Sequence, residues 1–260
     1  MIRVLRLVVC GMLVWTSLAW GQPPSGDDAA LIERSRQRAL DYTHSLPDFV
    51  CSEVIRRYAA PADGLKLGLW AHTDTLTVKL SYSQKTEGHK LELIDGKPTD
   101  RKFEEVGGAI SKGEFGGILR TVFDPASQAA FDWESWKTVR KHRIAVYQYA
   151  VSAANSPYYL RSGNRRAIVG IHGAIEVDSE TGEVLRLTYV AYDIPKQLGV
   201  QYSTTTVEYD FANVGGRNYL LPVRSETEVH SSEMWARNKM EFREYRKFSS
   251  ESTVTFGDGK

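Results

Sequence analysis

The chain has 260 residues, of which 42% are hydrophobic, so it is long enough to form one large domain or two small ones around a substantial core. Its 33 basic and 32 acidic residues give a net charge of +1, which supports neither a nucleic-acid-binding surface nor a polybasic membrane anchor. Its 13 tyrosines, 9 phenylalanines and 6 tryptophans favour a strand-rich fold.

Residues 1–21 have the pattern of a secretory signal peptide. Arg3 and Arg6 precede an apolar run over residues 7–20, and Gly21 places a small residue where a signal peptidase cuts. The run is too short, and has the wrong flanks, for a transmembrane helix. We therefore expect a secreted or periplasmic protein whose mature chain has no transmembrane span.

The mature chain is predicted to be a linker over residues 22–27 followed by a single β domain over residues 28–260. Cys10 lies within the signal, and the preceding Val9 is a poor match to a lipidation site. Cys51 is then the one cysteine that the mature chain keeps, at the start of a strand-like run. Such a cysteine is typical of a small buried hydrophobe, with a reactive or intermolecular thiol as the alternative.

The first part of this domain is predicted to contain a helix and then strands. Apolar residues recur at helical spacing over residues 28–45, and Pro47 follows the end of the helix. Residues 74–82 alternate between apolar and polar side chains, and residues 89–95 form a further strand. The apolar face of the first of these strands consists of Leu76, Val78, Leu80 and Tyr82.

The middle of the chain carries a glycine-rich segment over residues 107–117. Its glycine spacing imitates a phosphate-binding loop, but Glu114 and Phe115 replace the required Lys and Ser/Thr. We interpret this segment as a flexible loop, with a lid over a site as the alternative. A pair of short helices is predicted over residues 114–130, the second capped by Asp124.

The second half of the chain is predicted to be a run of β-hairpins. Strands are expected over residues 132–139, 143–153, 165–178, 183–193, 200–212, 218–230, 234–248 and 251–256. Pro222 within one of them indicates a bulge or an edge strand. The predicted fold is mainly β, an α+β arrangement in which a long curved antiparallel sheet packs its helices on the concave side. A flat sheet of this many strands would leave a large apolar face uncovered.

The common signatures of hydrolases and metal sites are absent from the sequence, which has no Gly-x-Ser-x-Gly, His-Glu-x-x-His or Cys-x-x-Cys. His172, Glu176 and Asp178 share one face of a predicted strand, as metal ligands can. Alternate polar residues are nevertheless normal on a solvated strand face. We expect no metal, no other cofactor and no enzymatic activity, with an active site assembled from distant strands as the alternative.

Two further groups of side chains allow both a structural and a functional interpretation. Glu134 stands between Trp133 and Trp136, and we interpret it as a carboxylate beside packing aromatics rather than as an activated acid. A basic cluster lies at a predicted hairpin tip, where a solvated turn is expected and contact with anionic lipid headgroups is the alternative. Its members are Lys137, Arg140, Lys141, His142 and Arg143.

One hairpin carries a family resemblance. The pattern V-D-x-x-T-G-x-x-L-R is matched by Val177, Asp178, Thr181, Gly182, Leu185 and Arg186. Together with the secretory signal, the first helix and the long meander, it resembles the outer-membrane lipoprotein-sorting superfamily, which includes LolA-like carriers and RseB-like sensors. Residues 46–51 and 209–224 are also similar to a set of secreted bacterial proteins with no established activity.

The resemblance implies a half-open β-barrel closed by helices, with an apolar cavity able to hold acyl chains and no catalytic residues. We therefore expect a non-enzymatic protein that binds a lipid or a lipoprotein acyl chain on the concave face of the sheet. The alternative is an envelope protein–protein interaction module with a filled core, no small ligand and an exposed sheet edge for its partner. The candidate ligand-binding residues are Leu76, Val78, Leu80, Tyr82, Val207, Tyr209 and Phe211.

Overall fold

A long antiparallel sheet dominates the structure. The computed structural model describes residues 26–62, 70–110 and 113–248. The predicted signal peptide, most of the predicted linker and the strand predicted over residues 251–256 lie outside the described residues.

The described residues contain two α-helices and thirteen strands. The helices are α1 (Gly26–Ser45) and α2 (Gly117–Phe123). The strands are β1 (Phe49–Pro61), β2 (Ala71–Ser83), β3 (Thr86–Ile94), β4 (Lys97–Pro98), β5 (Ala130–Val139), β6 (His142–Val151), β7 (Tyr159–Ser162), β8 (Arg165–Ile168), β9 (Gly170–Asp178), β10 (Val184–Tyr192), β11 (Val200–Val214), β12 (Arg217–Ser231) and β13 (Met234–Lys247). Neither helix among the described residues combines the length and apolar character that crossing a membrane requires.

Eleven of these strands form one sheet with the order β4-β3-β2-β1-β13-β12-β11-β10-β9-β6-β5. The first strand lies inside the sheet because β1 pairs with β2 on one side and with β13 on the other. β4 and β5 therefore lie at opposite edges although they follow each other in the chain. Residues 99–129, which join them, have to pass from one edge of the sheet to the other.

The two faces of the sheet differ in chemistry, as the alternation of side chains along a strand requires. In β1, Phe49, Cys51, Glu53 and Ile55 are buried, and the alternate residues between them are more exposed. Leu76 and Val78 of β2 are buried on the same side, which we call the inner face. The opposite, outer face carries mainly charged side chains. The mainly β fold class and the open antiparallel sheet are confirmed.

The inner face is covered in two ways, by helices over one part and by a non-helical segment over the other. Over β6 and β9–β12, α1 and α2 pack on a first cluster that includes Tyr42, Val122, Phe123, Ile175, Leu187 and Val207. Arg36 of α1 links the helices because its Nη1 donates to the carbonyl oxygen of Phe123 at 2.9 Å. Over β1–β3 and β13, Phe103 and Phe115 of the connection pack on a second cluster. Helices therefore cover one half of the inner face and a non-helical segment covers the other.

Most elements predicted from the sequence are present with shifted ends. The helix over residues 28–45 and the strand over residues 74–82 are confirmed as α1 and β2. The helix pair over residues 114–130 is present as α2 and a single 3-10 turn, Pro125–Ser127. The strand-like run at Cys51 is present as β1, which continues through Arg56 and Arg57.

The single strand predicted over residues 165–178 is wrong. Val169, a fully buried residue whose N–H donates to the carbonyl oxygen of Tyr158 at 3.2 Å, lies between the end of β8 and the start of β9 in the main sheet. β8 pairs instead with β7, which the sequence analysis missed, in a two-stranded hairpin beside the main sheet.

Pro222 lies at a β-bulge inside the sheet, so the bulge interpretation is confirmed. Tyr209 pairs with Pro222 while Glu208 pairs with Arg224, which leaves Val223 as the extra residue. The carbonyl oxygen of Pro222 accepts a hydrogen bond from the Tyr245 hydroxyl at 2.5 Å.

Phe211 does not share the inner face with Val207 and Tyr209, because the alternation of buried residues along β11 changes phase after Tyr209. Strict alternation would place all three on one side, but Phe211 is 58% exposed. Beyond the bulge it is Ala212 and Val214 that pack on the second cluster. The sequence expectation of an inward-facing Phe211 is therefore wrong.

The packing of α2 on the sheet predicts that Phe123→Ala lowers the free energy of unfolding by about 3–5 kcal/mol. The Phe123 ring is fully buried and stacks on Phe131 with ring centroids 5.4 Å apart. Denaturant unfolding followed by circular dichroism measures the change. Phe211→Ala removes the same side chain from the surface and should change stability by less than about 0.5 kcal/mol. Equal losses in the two variants would contradict the described packing.

Candidate functional site on the inner face

The loop over the second cluster defines the candidate site, and we call residues 101–110 the cover segment. Phe103 is its buried anchor, and the ring lies flat against that of His89 with centroids 5.2 Å apart. Gly107 and Gly108 have φ values of +67° and +78°, a backbone conformation that glycine adopts at little cost. The cover segment therefore turns here instead of continuing as a regular element.

Side chains of the sheet hold the cover segment in place. Arg57 Nη1 donates to the carbonyl oxygen of Gly107 at 2.7 Å, and Asn238 Nδ2 donates to that of Ala109 at 2.6 Å. Among the described residues, no backbone hydrogen bond joins the cover segment to the sheet. Side chains thus attach the cover segment, and they include the Phe103 ring, the partly buried Val106 and the Arg57 and Asn238 donors.

These two donors belong to a row of polar side chains that crosses the sheet in register. Thr205 pairs with Thr227, Thr227 with Asn238, Asn238 with Arg57, and Arg57 with Asp74. The Thr205 and Thr227 hydroxyls lie 2.9 Å apart, and Arg57 forms a two-pronged ion pair with Asp74. This polar row follows one border of the apolar inner face, where the cover segment is attached.

A small cavity lies between the cover segment and the sheet. Its volume is about 10 Å³, which is space for one water molecule, whereas sites for small ligands span several hundred Å³. The open cavity that the resemblance implies is therefore absent beneath the cover segment in this conformation. The residues that border the cavity include Glu53, Ile55, Leu76, Phe103, Asn238 and Met240.

Phe115, directly before α2, fills the interior next to the cover segment. Its ring lies 5.2 Å from that of Phe49, 5.4 Å from that of Phe242 and 6.2 Å from that of Tyr82. The sequence analysis treated Phe115 only as a departure from a phosphate-binding loop. An isolated large aromatic in a glycine-rich segment was the signal that could have identified it.

The structure divides the seven candidate ligand-binding residues between different places. Leu76, Val78, Leu80 and Tyr82 are buried in the second cluster. Val207 and Tyr209 are buried in the first cluster, whereas Phe211 is on the surface. Leu76 borders the small cavity. A role of these residues in ligand binding stays a prediction.

Glu53 is a buried carboxyl group on the inner face. Its Oε2 has no hydrogen-bond partner among the described residues, and His89 Nε2 is 3.9 Å away. Burial, together with the nearby carboxylates of Glu114 and Glu87, raises the pKa of Glu53 to about 8. Glu53 is therefore largely protonated at neutral pH and gives the apolar cavity a neutral polar group.

The outer face carries a larger groove, of about 370 Å³, on the opposite side of the sheet. Its basic and acidic side chains balance, and several pair directly. Arg56 lies 2.5 Å from Glu241, and Arg186 and Arg224 lie 3.4 and 3.3 Å from Glu208. These pairs describe a solvated charged face whose charges are already matched, so the inner face is the stronger candidate.

The other groups singled out from the sequence have structural partners. Glu176 lies 2.5 Å from Lys137, and Asp178 accepts hydrogen bonds from the N–H groups of Glu180 and Thr181. Within the described ranges, no group of three or more His, Cys, Asp or Glu side chains is arranged to hold a metal ion.

The basic cluster lies at the tip of the β5–β6 hairpin, as predicted, and most of it is matched locally. Arg140 lies 3.5 Å from Asp210 and His142 lies 2.9 Å from Asp178. The Arg143 guanidinium stacks on the ring of Trp136. These contacts are those of a solvated turn.

Glu134 and Cys51 have the structural roles that the sequence analysis favoured. Glu134 is exposed and accepts a hydrogen bond from Gln148 Nε2 at 2.6 Å, beside the half-buried Trp133. Cys51 is unpaired and buried in the second cluster, and burial raises the pKa of its thiol. It is a small buried hydrophobe.

Comparison with solved structures returns architectures of the superfamily named above. A LolA superfamily protein from Nitrosomonas europaea is 10% identical with a TM-score of 0.39, covering 85% of this chain and 93% of that one. An outer membrane lipoprotein-sorting protein domain from Vibrio parahaemolyticus is 8% identical with a TM-score of 0.38, covering 84% and 92%. A DUF1329 family protein from Desulfovibrio piger is 8% identical with a TM-score of 0.38, covering 86% and 94%.

Identities and TM-scores at this level carry no argument about this chain. No protein-family model matches the sequence, and no curated protein matches it. The candidate site therefore rests on the geometry of the inner face alone.

The burial of Glu53 predicts a specific dependence of stability on pH. Because its pKa is raised in the folded state, the folded chain binds more protons than the unfolded chain between about pH 4.5 and 8. Stability contributed by the neutral group is present below about pH 4.5 and is lost as the pH rises to 8. The slope is at most about 1.4 kcal/mol per pH unit.

Glu53→Gln should remove this slope, so that the variant exceeds the native chain in stability above pH 8. Urea unfolding at a series of pH values measures how the free energy of unfolding depends on pH. The exposed Glu233 provides the matched control, because Glu233→Gln should leave the profile unchanged. A Glu53→Gln profile parallel to the native one would show that Glu53 is ionised in the folded state.

Proposed function

We propose that this protein binds the acyl chain of a lipid or lipoprotein on its inner face beneath the cover segment, without catalysing a reaction. The observation that carries the proposal is the nature of the cover. The apolar surface of β1–β3 is closed by a loop that side chains attach, among them the Phe103 ring and the Arg57 and Asn238 donors. A surface closed in this way opens without breaking the sheet.

The free energy that displacing the cover segment costs is similar to the free energy that burying an acyl chain contributes. Exposing Phe103 costs about 1.5–3 kcal/mol, and the two hydrogen bonds add about 1 kcal/mol each. Burial of an acyl chain contributes about 0.8 kcal/mol per methylene, so roughly six buried methylenes offset the displacement. Acyl chains of ordinary lipids are longer than this, and the polar row offers hydrogen-bonding groups for their head.

The secretory signal predicted in residues 1–21 supports action in the periplasm or outside the cell, where such ligands are exchanged between envelope components. The charged outer face supports a chain that remains in water while the inner face holds the ligand.

The filled interior favours a second candidate, an envelope protein–protein interaction module. A cavity of about 10 Å³ holds no small ligand, and the edge strands β4 and β5 each have one side that no strand of the described sheet pairs with and that a partner strand can join. This candidate requires the cover segment to stay closed. The two candidates therefore differ in whether the cover segment moves.

The attachment of the cover segment predicts that Asn238→Ala strengthens the binding of a fluorescent fatty acid, dansyl-undecanoic acid. Losing the hydrogen bond to Ala109 raises the open population, so we expect an apparent Kd lower by about fivefold and faster uptake. Fluorescence titration and stopped-flow mixing measure both quantities on the full mature chain.

Asn213→Ala is the matched control, because Asn213 is exposed and its Nδ2 donates to Asn218 on the facing strand of the same hairpin, away from the cover segment. It should bind the probe as the native chain does. Equal affinity in all three chains would place the probe elsewhere than beneath the cover segment. No binding by any of them would support the interaction module.

A further inference from the structure

The β7–β8 hairpin presents an outward face that its own fold does not explain. Tyr159 pairs with Ile168, and Arg161 pairs with Arg166. Because alternate residues of a strand share a face, these four side chains lie on one side of the hairpin. Leu160 and Ala167 between them are half-buried on the other side. We call the four side chains the hairpin face.

The two arginines of the hairpin face are directly opposite each other, an arrangement that destabilises a strand pair. Neither forms an ion pair with any other described residue, unlike most of the basic cluster at the β5–β6 tip. The surrounding sequence supplies no carboxylate, since residues 135–175 contain seven lysines and arginines and no aspartate or glutamate. An anion seated between the two guanidinium groups would remove the repulsion.

The apolar members of the hairpin face are unusually exposed. Tyr159 is 46% and Ile168 is 53% exposed, although both are large and lie side by side. The Arg166 guanidinium lies over the Tyr159 ring, 3.8 Å from its centroid. A paired cationic and apolar surface of this kind matches a layer in which anions stand directly above hydrocarbon.

We propose that the hairpin face docks this protein on an anionic phospholipid bilayer. Arg161 and Arg166 bind a lipid phosphate between them, and Tyr159 and Ile168 enter the interfacial layer beneath it. The size of the face favours a bilayer over a protein partner. Strands of four residues span about 13 Å, and two strands cover roughly 130 Å², far below the about 800 Å² per partner of a stable protein interface.

The basic cluster at the β5–β6 tip is the alternative source of bilayer contact, and the structure separates the two. β6 runs from that tip to Val151, and the β7–β8 hairpin follows, so the two basic regions lie at opposite ends of one strand. Ion pairs to Glu176 and Asp210 already match Lys137 and Arg140 of the tip, and His142 forms a hydrogen bond with Asp178. The hairpin face has no such partners among the described residues.

Sedimentation with vesicles of equal parts phosphatidylglycerol and phosphatidylcholine tests the proposal, with pure phosphatidylcholine vesicles for comparison. The full mature chain should bind the anionic vesicles, and binding should weaken as salt is added. Arg161→Gln with Arg166→Gln should weaken binding about thirtyfold. Tyr159→Ser with Ile168→Ser should weaken it about tenfold.

Three further double variants complete the design. Arg161→Lys with Arg166→Lys keeps the charge and should retain most of the binding, which separates a charge effect from loss of the hairpin. Arg217→Gln with Arg246→Gln removes the same charge from the other end of the sheet and should bind as the native chain does. Arg140→Gln with Lys141→Gln, at the β5–β6 tip, should also have little effect.

Several results would overturn the proposal. Equal binding to both vesicle types would do so. So would a variant of Arg217 and Arg246 that weakens binding as much as the variant of Arg161 and Arg166 does. Loss of binding only in the variant of Arg140 and Lys141 would also do so. Failure of the native chain to sediment, with arginine-dependent capture of an acidic polypeptide such as polyglutamate instead, would assign the hairpin face to a protein partner. None of these outcomes depends on ligand binding at the inner face.

Discussion

The structure depends on one topological constraint: the two edge strands of the open sheet, β4 and β5, follow each other in the chain. β4 and β5 lie at opposite edges because β1 pairs with β13 in the interior. The connection between them has to cross one face, and the apolar inner face gains most from being covered. Phe103, Phe115 and α2 are the parts of that connection that supply the cover. The covering of the core and the candidate site therefore have the same origin.

The covers over the two halves of the inner face differ in how firmly they are attached to the sheet. Over β9–β12 the cover is helical, and Arg36 ties α1 to α2. Over β1–β3 it is a loop that Arg57 and Asn238 attach by its carbonyl groups. Local opening is expected where regular hydrogen bonding is sparse, so the loop is the part of the cover that moves at least cost. Glu53 and the polar row lie beneath it, where buried polar groups are otherwise costly.

Local pattern was enough to predict most of the strands and little of the site. Strict alternation identified β2 and its apolar face, and helical spacing identified α1. The pairing of β1 with β13 joins residues almost 200 positions apart, for which alternation carries no signal. The inward direction of Phe103 and Phe115 depends on the path of the connection, and the outward direction of Phe211 follows a change of phase along β11 that strict alternation does not show. The polar row was not predictable because its members come from strands separated in sequence.

Amide hydrogen exchange of the full mature chain, with and without a saturating fatty acid, tests the central claim most directly. The account predicts that amides of residues 101–110 exchange through a local opening, with far less protection than those of β11 and β12, and that the fatty acid changes exchange in this segment and on the facing strands β1 and β2. Exchange of the cover segment only at the rate of global unfolding, unchanged by fatty acid, would contradict it. The inner face would then be a closed core.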